Sequence, residues 1–262
     1  NLALVVGPTR DDGKHEVLTV YQRISLADRI DLEPAARLAV EGFPEDTLVR
    51  GALEAVAAAA GVEPRWRARI EKKIPAAAGL GGGSSDAATA LRLANESLAE
   101  QLPPAELHAL AATLGADVPF FLAEGPQLGA GDGTELAPLD LPQDFWILLV
   151  LPRDAVKPST ASVYGAFDAR NGAAGFPERR AALLDGLERV RRPRDLAALP
   201  ANDLVASPLA ADLRALGAFR VDVSGAGPAV YGLFHHRHDA EAAEKVLKAR
   251  GRTWICLPAW YG

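Results

Sequence analysis

The 262-residue sequence contains no methionine and a single cysteine, and both shortages limit what the chain can be. Cys256 alone cannot form an intramolecular disulfide, so packing must hold the fold. Its neighbours Trp254, Ile255 and Leu257 are apolar, and the thiol reads as a buried structural group. Such a chain suits a reducing compartment, and the expected location is the cytoplasm. The sequence opens at Asn1 inside a strand-like run, Asn1-Leu2-Ala3-Leu4-Val5-Val6, so the natural start is expected upstream. Long apolar runs are missing too. The longest, Phe145 to Leu151, reads as a buried strand and falls far short of the roughly 20 residues that cross a bilayer. No membrane partner is expected, and no stretch reads as a signal peptide.

Positive charge is in the minority. The chain carries 28 Lys and Arg against 34 Asp and Glu, a net charge of −6 at pH 7. A nucleic-acid scaffold would normally be basic, so no nucleic-acid partner is expected. A small anion needs only a local positive field, and phosphate binding stays open. Hydrophobic residues at 49% and charged residues at 24% fit an ordinary globular protein of one large or two moderate domains. His235, His236 and His238 suggest a metal cluster at first sight. Arg237 and Asp239 interrupt them at a strand end, and a solvated loop is the expected reading.

Glycine, by contrast, is concentrated in one place. Pro75-Ala76-Ala77-Ala78-Gly79-Leu80-Gly81-Gly82-Gly83-Ser84-Ser85 joins a strand-like run to a helix-like run. Glycines let successive backbone N–H groups turn toward one anion without steric cost. A helix starting near Ser84 or Ser85 would aim its partial positive end into the same space. The expected ligand is a nucleoside triphosphate; a plain strand-to-helix turn is the alternative. Before the loop, Trp66, Ala68, Ile70, Lys72 and Ile74 share one face of a period-two pattern. Lys72 therefore stands on an apolar face and needs an anionic partner, whereas Lys73 is an ordinary solvated lysine. Two familiar phosphate motifs are excluded. Gly7 to Gly13 with Lys14 and His15 has the wrong spacing for the Walker loop, and Ser84 stands where the Rossmann pattern needs glycine.

Asp117 is the carboxylate of most interest. It follows a helix end and adjoins Val118, Phe120, Phe121 and Leu122, a setting that predicts burial with partners. It reads as a base or orienting group for a hydroxyl, or else as a capping residue. Ser224-Gly225-Ala226-Gly227-Pro228 is a second glycine turn, which could be a simple hairpin. Asn202-Asp203-Leu204 is a weaker signal, because Asn-Asp pairs mark many turns.

Periodicity predicts strands at 1–6, 16–32, 66–74 and 145–151, and a strand–turn–strand unit over 220–234. Helices are expected at 48–60, 86–99, 106–114 with Gly115 as C-cap, 178–190, 208–216 and 239–250. A turn is read at Lys157-Pro158-Ser159-Thr160. Helices interleaved with hairpin-like strands give an α+β class.

Taken together, the glycine loop, the Gly115-Ala116-Asp117-Val118-Pro119-Phe120-Phe121 segment and Ser224 to Pro228 resemble motifs of the GHMP small-molecule kinases. The triple glycine followed by Ser-Ser-Asp, with Asn202-Asp203-Leu204, is similar to the branch that phosphorylates a cytidyl-linked methylerythritol. The resemblance implies two α+β domains with the active site between them, an ATP-binding domain at 1–150 and a C-terminal domain at 151–262. It implies ATP with Mg²⁺, no metal ligands being identified, and a small-molecule acceptor. Pro75, Ala76, Ala77, Ala78, Gly79, Leu80, Gly81, Gly82, Gly83, Ser84 and Ser85 would wrap the phosphates, with Lys72 beside the nucleotide. Asp117 would be the catalytic aspartate. Asn1 matches an asparagine of the family's N-terminal segment, whose lysine would lie two residues upstream. Asp12-Gly13-Lys14-His15 matches a segment that helps hold cytosine, His15 being kept and Lys14 replacing a tyrosine. Tyr21 and Tyr164 match two further aromatic positions of that pocket. Another GHMP kinase, for homoserine, mevalonate or a sugar, is the nearest alternative. A nucleotide-binding regulator without turnover is the other.

Overall fold

Two runs of buried side chains joined by a turn form the first hairpin of the computed structural model, which describes residues 1–43, 48–153 and 159–260. The Lys157-Pro158 part of the expected turn lies outside these residues. Strands β1 (Ala3–Thr9) and β2 (His15–Tyr21) pair antiparallel, with Ala3 opposite Val20 and Thr9 opposite His15. Two compact units organise the described residues.

The first unit comprises Asn1–Ser25, Ala77–Leu80 and the described residues from Gly125 on. One of its sheets has the order β1-β2-β6-β7, with β6 at Gln127–Ala130 and β7 at Glu135–Pro138. The other has the order β11-β8-β10-β9. Its strands are β8 (Trp146–Pro152), β9 (Arg220–Val223), β10 (Val230–Phe234) and β11 (Gly251–Cys256). Residue 150, where a border was expected, lies inside β8. Helices α4 (Thr160–Ala169), α5 (Phe176–Arg189), α6 (Leu209–Ala215) and α7 (Arg237–Leu247) belong to this unit. Leu4, Val6, Val17, Val163, Phe167 and Leu204 form one of its cores.

The second unit comprises Leu26–Ala76 and Gly81–Glu124. Its sheet has the order β3-β5-β4, with β3 at Arg29–Pro34, β5 at Trp66–Glu71 and β4 at Ala39–Glu41. On β5, Trp66, Ala68 and Ile70 are buried while Arg67, Arg69 and Glu71 are exposed, as the period of two requires. The buried face packs with α1 (Leu48–Ala59) and α2 (Gly82–Glu96) around Val49, Leu53, Val56 and Leu91. Helix α3 (Pro104–Leu114) ends at Gly115, whose N–H bonds Ala111 O, the cap the sequence predicted.

Several boundaries differ from those read in the sequence. The expected strand at 16–32 is two strands in different sheets. It is cut at 22–28 because that segment bonds elsewhere: Ser25 N–H to Leu257 O at 2.8 Å, and Ala259 N–H to Arg23 O at 2.9 Å. The strand expected at 66–74 stops at Glu71. The helix expected to start between Ser84 and Asp86 begins at Gly82, because first-turn N–H groups make no helical bonds and ask nothing of the side chain. No helix among the described residues is long and apolar enough to cross a membrane.

Candidate active site

In the second unit, the glycine loop leaves β5 through Lys72 and ends in α2. Lys72 has the anionic partnership its place on the strand predicts, and it has two partners. Its Nζ donates to Asp28 Oδ2 at 2.5 Å and to Asp86 Oδ2 at 2.7 Å. The two carboxylates are 2% and 3% exposed and the lysine 17%. Asp28 Oδ1 also accepts the N–H groups of Lys73 and Ile74, at 2.5 and 2.8 Å. Burial pushes Asp86 up to about 6, against the opposing pull of Lys72. Burial acts to lower the lysine, but its bonds to Asp28 and Asp86 win and raise it.

Gly81, with φ of 67°, is the N-cap of α2 and offers no side-chain cap to the first turn. Helix N–H groups left in this way suit an anion. Gly82 is glycine for a packing reason. A Cβ there would lie 2.9 Å from Ile74 Cγ2 and 3.5 Å from Lys72 Nζ. Ser84 and Ser85 are partly buried on the first turns of α2, while Pro75 is buried and Ala76 exposed.

In the first unit, the middle of the loop meets the second glycine turn. Gly79 has φ of +77°, and a Cβ on it would stand 2.6 Å from the carbonyl oxygens of both Ser224 and Gly227. Ser224 Oγ donates to Gly79 O at 2.8 Å, and Ala229 N–H to Ala78 O at 2.9 Å. The Ser224 to Pro228 turn is therefore a partner of the loop and more than a hairpin bend. Asn202 holds that turn through Nδ2, which donates to Val223 O and Gly225 O at 3.0 and 2.6 Å. Asp203 holds β1, accepting Val6 N–H at 2.8 Å and pairing with Arg179 at 3.0 Å. The modest Asn-Asp signal thus marks a structural knot. Asn1 donates from Nδ2 to Thr19 Oγ1 at 2.7 Å, and its Oδ1 would lie 3.2 Å from a Cβ on Gly225.

His15 and Tyr164 come together in the same unit. Their rings are 4.8 Å apart and tilted by 38°, and Phe167 closes edge-on against His15 at 5.9 Å. His15 Nε2 bonds Asp168 Oδ1 at 2.8 Å. Lys14, in the preceding turn, is paired with Asp132 at 2.5 Å. Tyr21 does not join this group. It closes the strand that His15 opens, about 20 Å away at roughly 3.3 Å per residue. Tyr21 is 6% exposed, and its hydroxyl donates to Gly133 O at 3.4 Å.

Asp117 corrects an expectation. It is exposed, in the turn after α3, while Val118, Pro119 and Phe120 beside it are buried. The apolar neighbours enter the core and the carboxylate stays outside. Among the described residues no group of three or more His, Cys, Asp or Glu could hold a metal ion. Sequence reading missed Asp28 and Asp168. Each lies far along the chain from the residue it holds, and neither has a motif of its own. Asp86, directly after Ser85, was within reach: on a helix it falls beside the strand end that carries Lys72.

The family model described as "GHMP kinases N terminal domain" matches residues 47–125, and "GHMP kinases C terminal" matches 207–253. A protein of Anaeromyxobacter dehalogenans (strain 2CP-C) named 4-diphosphocytidyl-2-C-methyl-D-erythritol kinase is 39% identical over 271 residues, covering 96% of this chain and 83% of that one. The protein of the same name from Geobacter sulfurreducens is 36% identical over 278 residues, covering 97% and 93%. A crystal structure of 4-(cytidine 5'-diphospho)-2C-methyl-D-erythritol kinase matches with a TM-score of 0.78 at 34% identity, over 99% of this chain and 96% of that one. A crystal structure of mevalonate kinase reaches 0.74 at 13% identity, over 98% and 97%, which speaks to the fold alone.

Proposed function

We propose that this chain, which belongs to the GHMP kinase family, transfers the γ-phosphoryl group of ATP to the 2-hydroxyl of 4-diphosphocytidyl-2-C-methyl-D-erythritol. That reaction serves non-mevalonate isoprenoid precursor synthesis, in the cytoplasm. One observation carries the choice of acceptor: relatives bearing that kinase name match nearly the whole chain at 36% and 39% identity.

Phosphoryl transfer asks a protein mainly for positioning and for stabilisation of charge. Residues 75–85 supply backbone N–H groups and the N-terminus of α2 to the phosphates, with Lys72 beside the nucleotide at the start of the loop. Asp117, exposed and ionisable, orients the attacking hydroxyl or takes its proton. Asn1, His15 and Tyr164 bind the acceptor, His15 giving a polar atom and Tyr164 a ring face to the base. Tyr21 contributes by packing the strand that carries His15. ATP binding belongs to the N-terminal portion, residues 1–150, and 151–262 form the C-terminal portion. Magnesium would arrive with ATP, neutralising phosphate charge and asking few ligands of the protein.

A panel of acceptors with coupled detection of ADP tests the reading. ADP release with the cytidyl-methylerythritol acceptor and with no other is expected. Release with homoserine, mevalonate or a sugar instead would move the chain to another branch of the family. Nucleotide binding without release on any acceptor would make it a regulator.

A further inference from the structure

The two ends of the glycine loop are tied to one ammonium group. At the start, Asp28 accepts three hydrogen bonds: from Lys72 Nζ and from the N–H groups of Lys73 and Ile74. At the end, Asp86 on α2 accepts from the same Nζ. Lys72 thus spends two of its three donors on carboxylates, and the Phe43 ring covers it at 5.6 Å. Two carboxylates facing one ammonium leave no surplus positive charge for a phosphate. Both acids are buried, so removing the lysine would strand charge in the interior.

We propose that Asp28, Lys72 and Asp86 are positioning residues for nucleotide binding, fixing the span of the loop from Ile74 to Asp86 while Lys72 stays bonded to carboxylates and off the phosphates. This role rests on the reading of residues 75–85 as the phosphate loop. The clamp explains why Asp28, in the irregular segment between β2 and β3, is buried at all. It also relates Gly82 to the cluster, since the start of α2 passes within contact of Ile74 and Lys72. The clamp has a titratable half, because Asp86 is pushed up to about 6, chiefly by burial. Its charged neighbours are Lys72 and Asp28. The other charges on the elements packed against α2 are Arg50 and Glu54 of α1, Glu106 and His108 of α3, and Arg29, Asp31 and Glu33 of β3. These are exposed.

The test uses the full chain and the variants Asp28→Asn, Asp86→Asn and Lys72→Met. Affinity for a non-hydrolysable ATP analogue is measured by calorimetry, and amide exchange across 75–85 is followed without nucleotide. Each variant is expected to bind the analogue about 10-fold more weakly, the scale on which residues remote from a ligand modulate binding. Exchange in the loop should quicken in all three, and KM for ATP should rise more than kcat falls. Asp28→Asn combined with Lys72→Met should be no worse than the weaker single variant, as one unit requires. As pH falls through about 6, the unaltered chain should lose affinity relative to Asp86→Asn, because protonation releases half of the clamp. Unchanged or tighter binding by the two Asp→Asn variants, with a loss in Lys72→Met alone, would overturn the proposal and give Lys72 to the phosphates. Unaltered exchange in the loop would overturn it as well. If the unaltered chain binds no analogue, the phosphate-loop reading fails and this role falls with it, even where exchange responds.

Discussion

The glycine loop and the His15 cluster are built by opposite means. The loop uses backbone: small residues, left-handed glycines and an uncapped helix start, all within residues 75–85. The cluster uses side chains brought from two segments, His15 from β2 and Tyr164, Phe167 and Asp168 from α4. A backbone site must be contiguous in sequence and so announces itself as a motif. A side-chain site is assembled by the fold and leaves only single residues to read.

The largest effect is expected at Asp117, a side chain standing outside the core. Asp117→Asn should lower turnover by about 10²–10⁴-fold, the usual worth of a positioned acid or base. Because the residue is exposed, the melting temperature should hardly move. Near-normal turnover in the folded variant would reduce Asp117 to a turn residue.

Next come the loop glycines, which separate backbone strain from side-chain crowding. Gly79→Ala places a Cβ 2.6 Å from two carbonyl oxygens in a left-handed conformation. Such strain costs about 1–3 kcal/mol, or several degrees of melting temperature for a chain of this size. Gly82→Ala meets side chains and no backbone, Ile74 Cγ2 at 2.9 Å, Ile74 Cβ at 3.2 Å and Lys72 Nζ at 3.5 Å, and should lose less. Equal losses at the two positions would mean that the loop is set by general crowding and owes nothing to the turn at Ser224.

Much of this was legible in the sequence. The alternation of β5, the loop, the cap at Gly115 and the α+β class follow from local pattern. Lys72 was legible too, since a lysine between Ile70 and Ile74 must find an anion. Its partners were not, because Asp28 reaches it across 44 positions. The hairpin of β6 and β7 went unread although Asp132-Gly133 is a turn signal, its strands being only four residues each. The burial of Asp117 was misread because apolar neighbours in sequence need not surround a side chain in space.

Tyr164 and Tyr21 compare a proposed acceptor-binding residue with a packing residue. Stacking of a base on an aromatic ring is worth about 1–3 kcal/mol, so Tyr164→Ala should weaken acceptor binding by roughly 5- to 150-fold. ATP affinity should change little. Tyr21→Ala should instead lower the melting temperature, because a buried ring against Gly129 and Gly133 is lost, and should move both affinities alike. A selective loss of acceptor binding in Tyr21→Ala would extend the pocket to the far end of β2.

The smallest effect is expected at Lys14, where the comparison with Lys72 is sharpest. Both lysines bond carboxylates at 2.5 Å, but Lys14 is 54% exposed against 17% for Lys72. An exposed pair contributes about 0–1 kcal/mol and weakens with salt, so Lys14→Ala should shift stability by no more than that. Burial alone would raise Asp132, but hydrogen bonds from Lys14 and Thr134 overcome it and hold the carboxyl at about 2. A carboxyl held below its ordinary value of 3.8 stabilises the fold above that value and loses its contribution as pH falls toward 2. The small gap between the unaltered chain and Lys14→Ala should therefore be constant from neutral pH down to about 4 and close below it. Thr134 bonds Asp132 through Oγ1 at 2.6 Å, so the carboxylate keeps a partner when the lysine is removed. Acceptor affinity should be unchanged, since the ammonium is already committed to Asp132. A loss in Lys14→Ala as large as that in Tyr164→Ala would make the lysine a wall of the pocket in its own right.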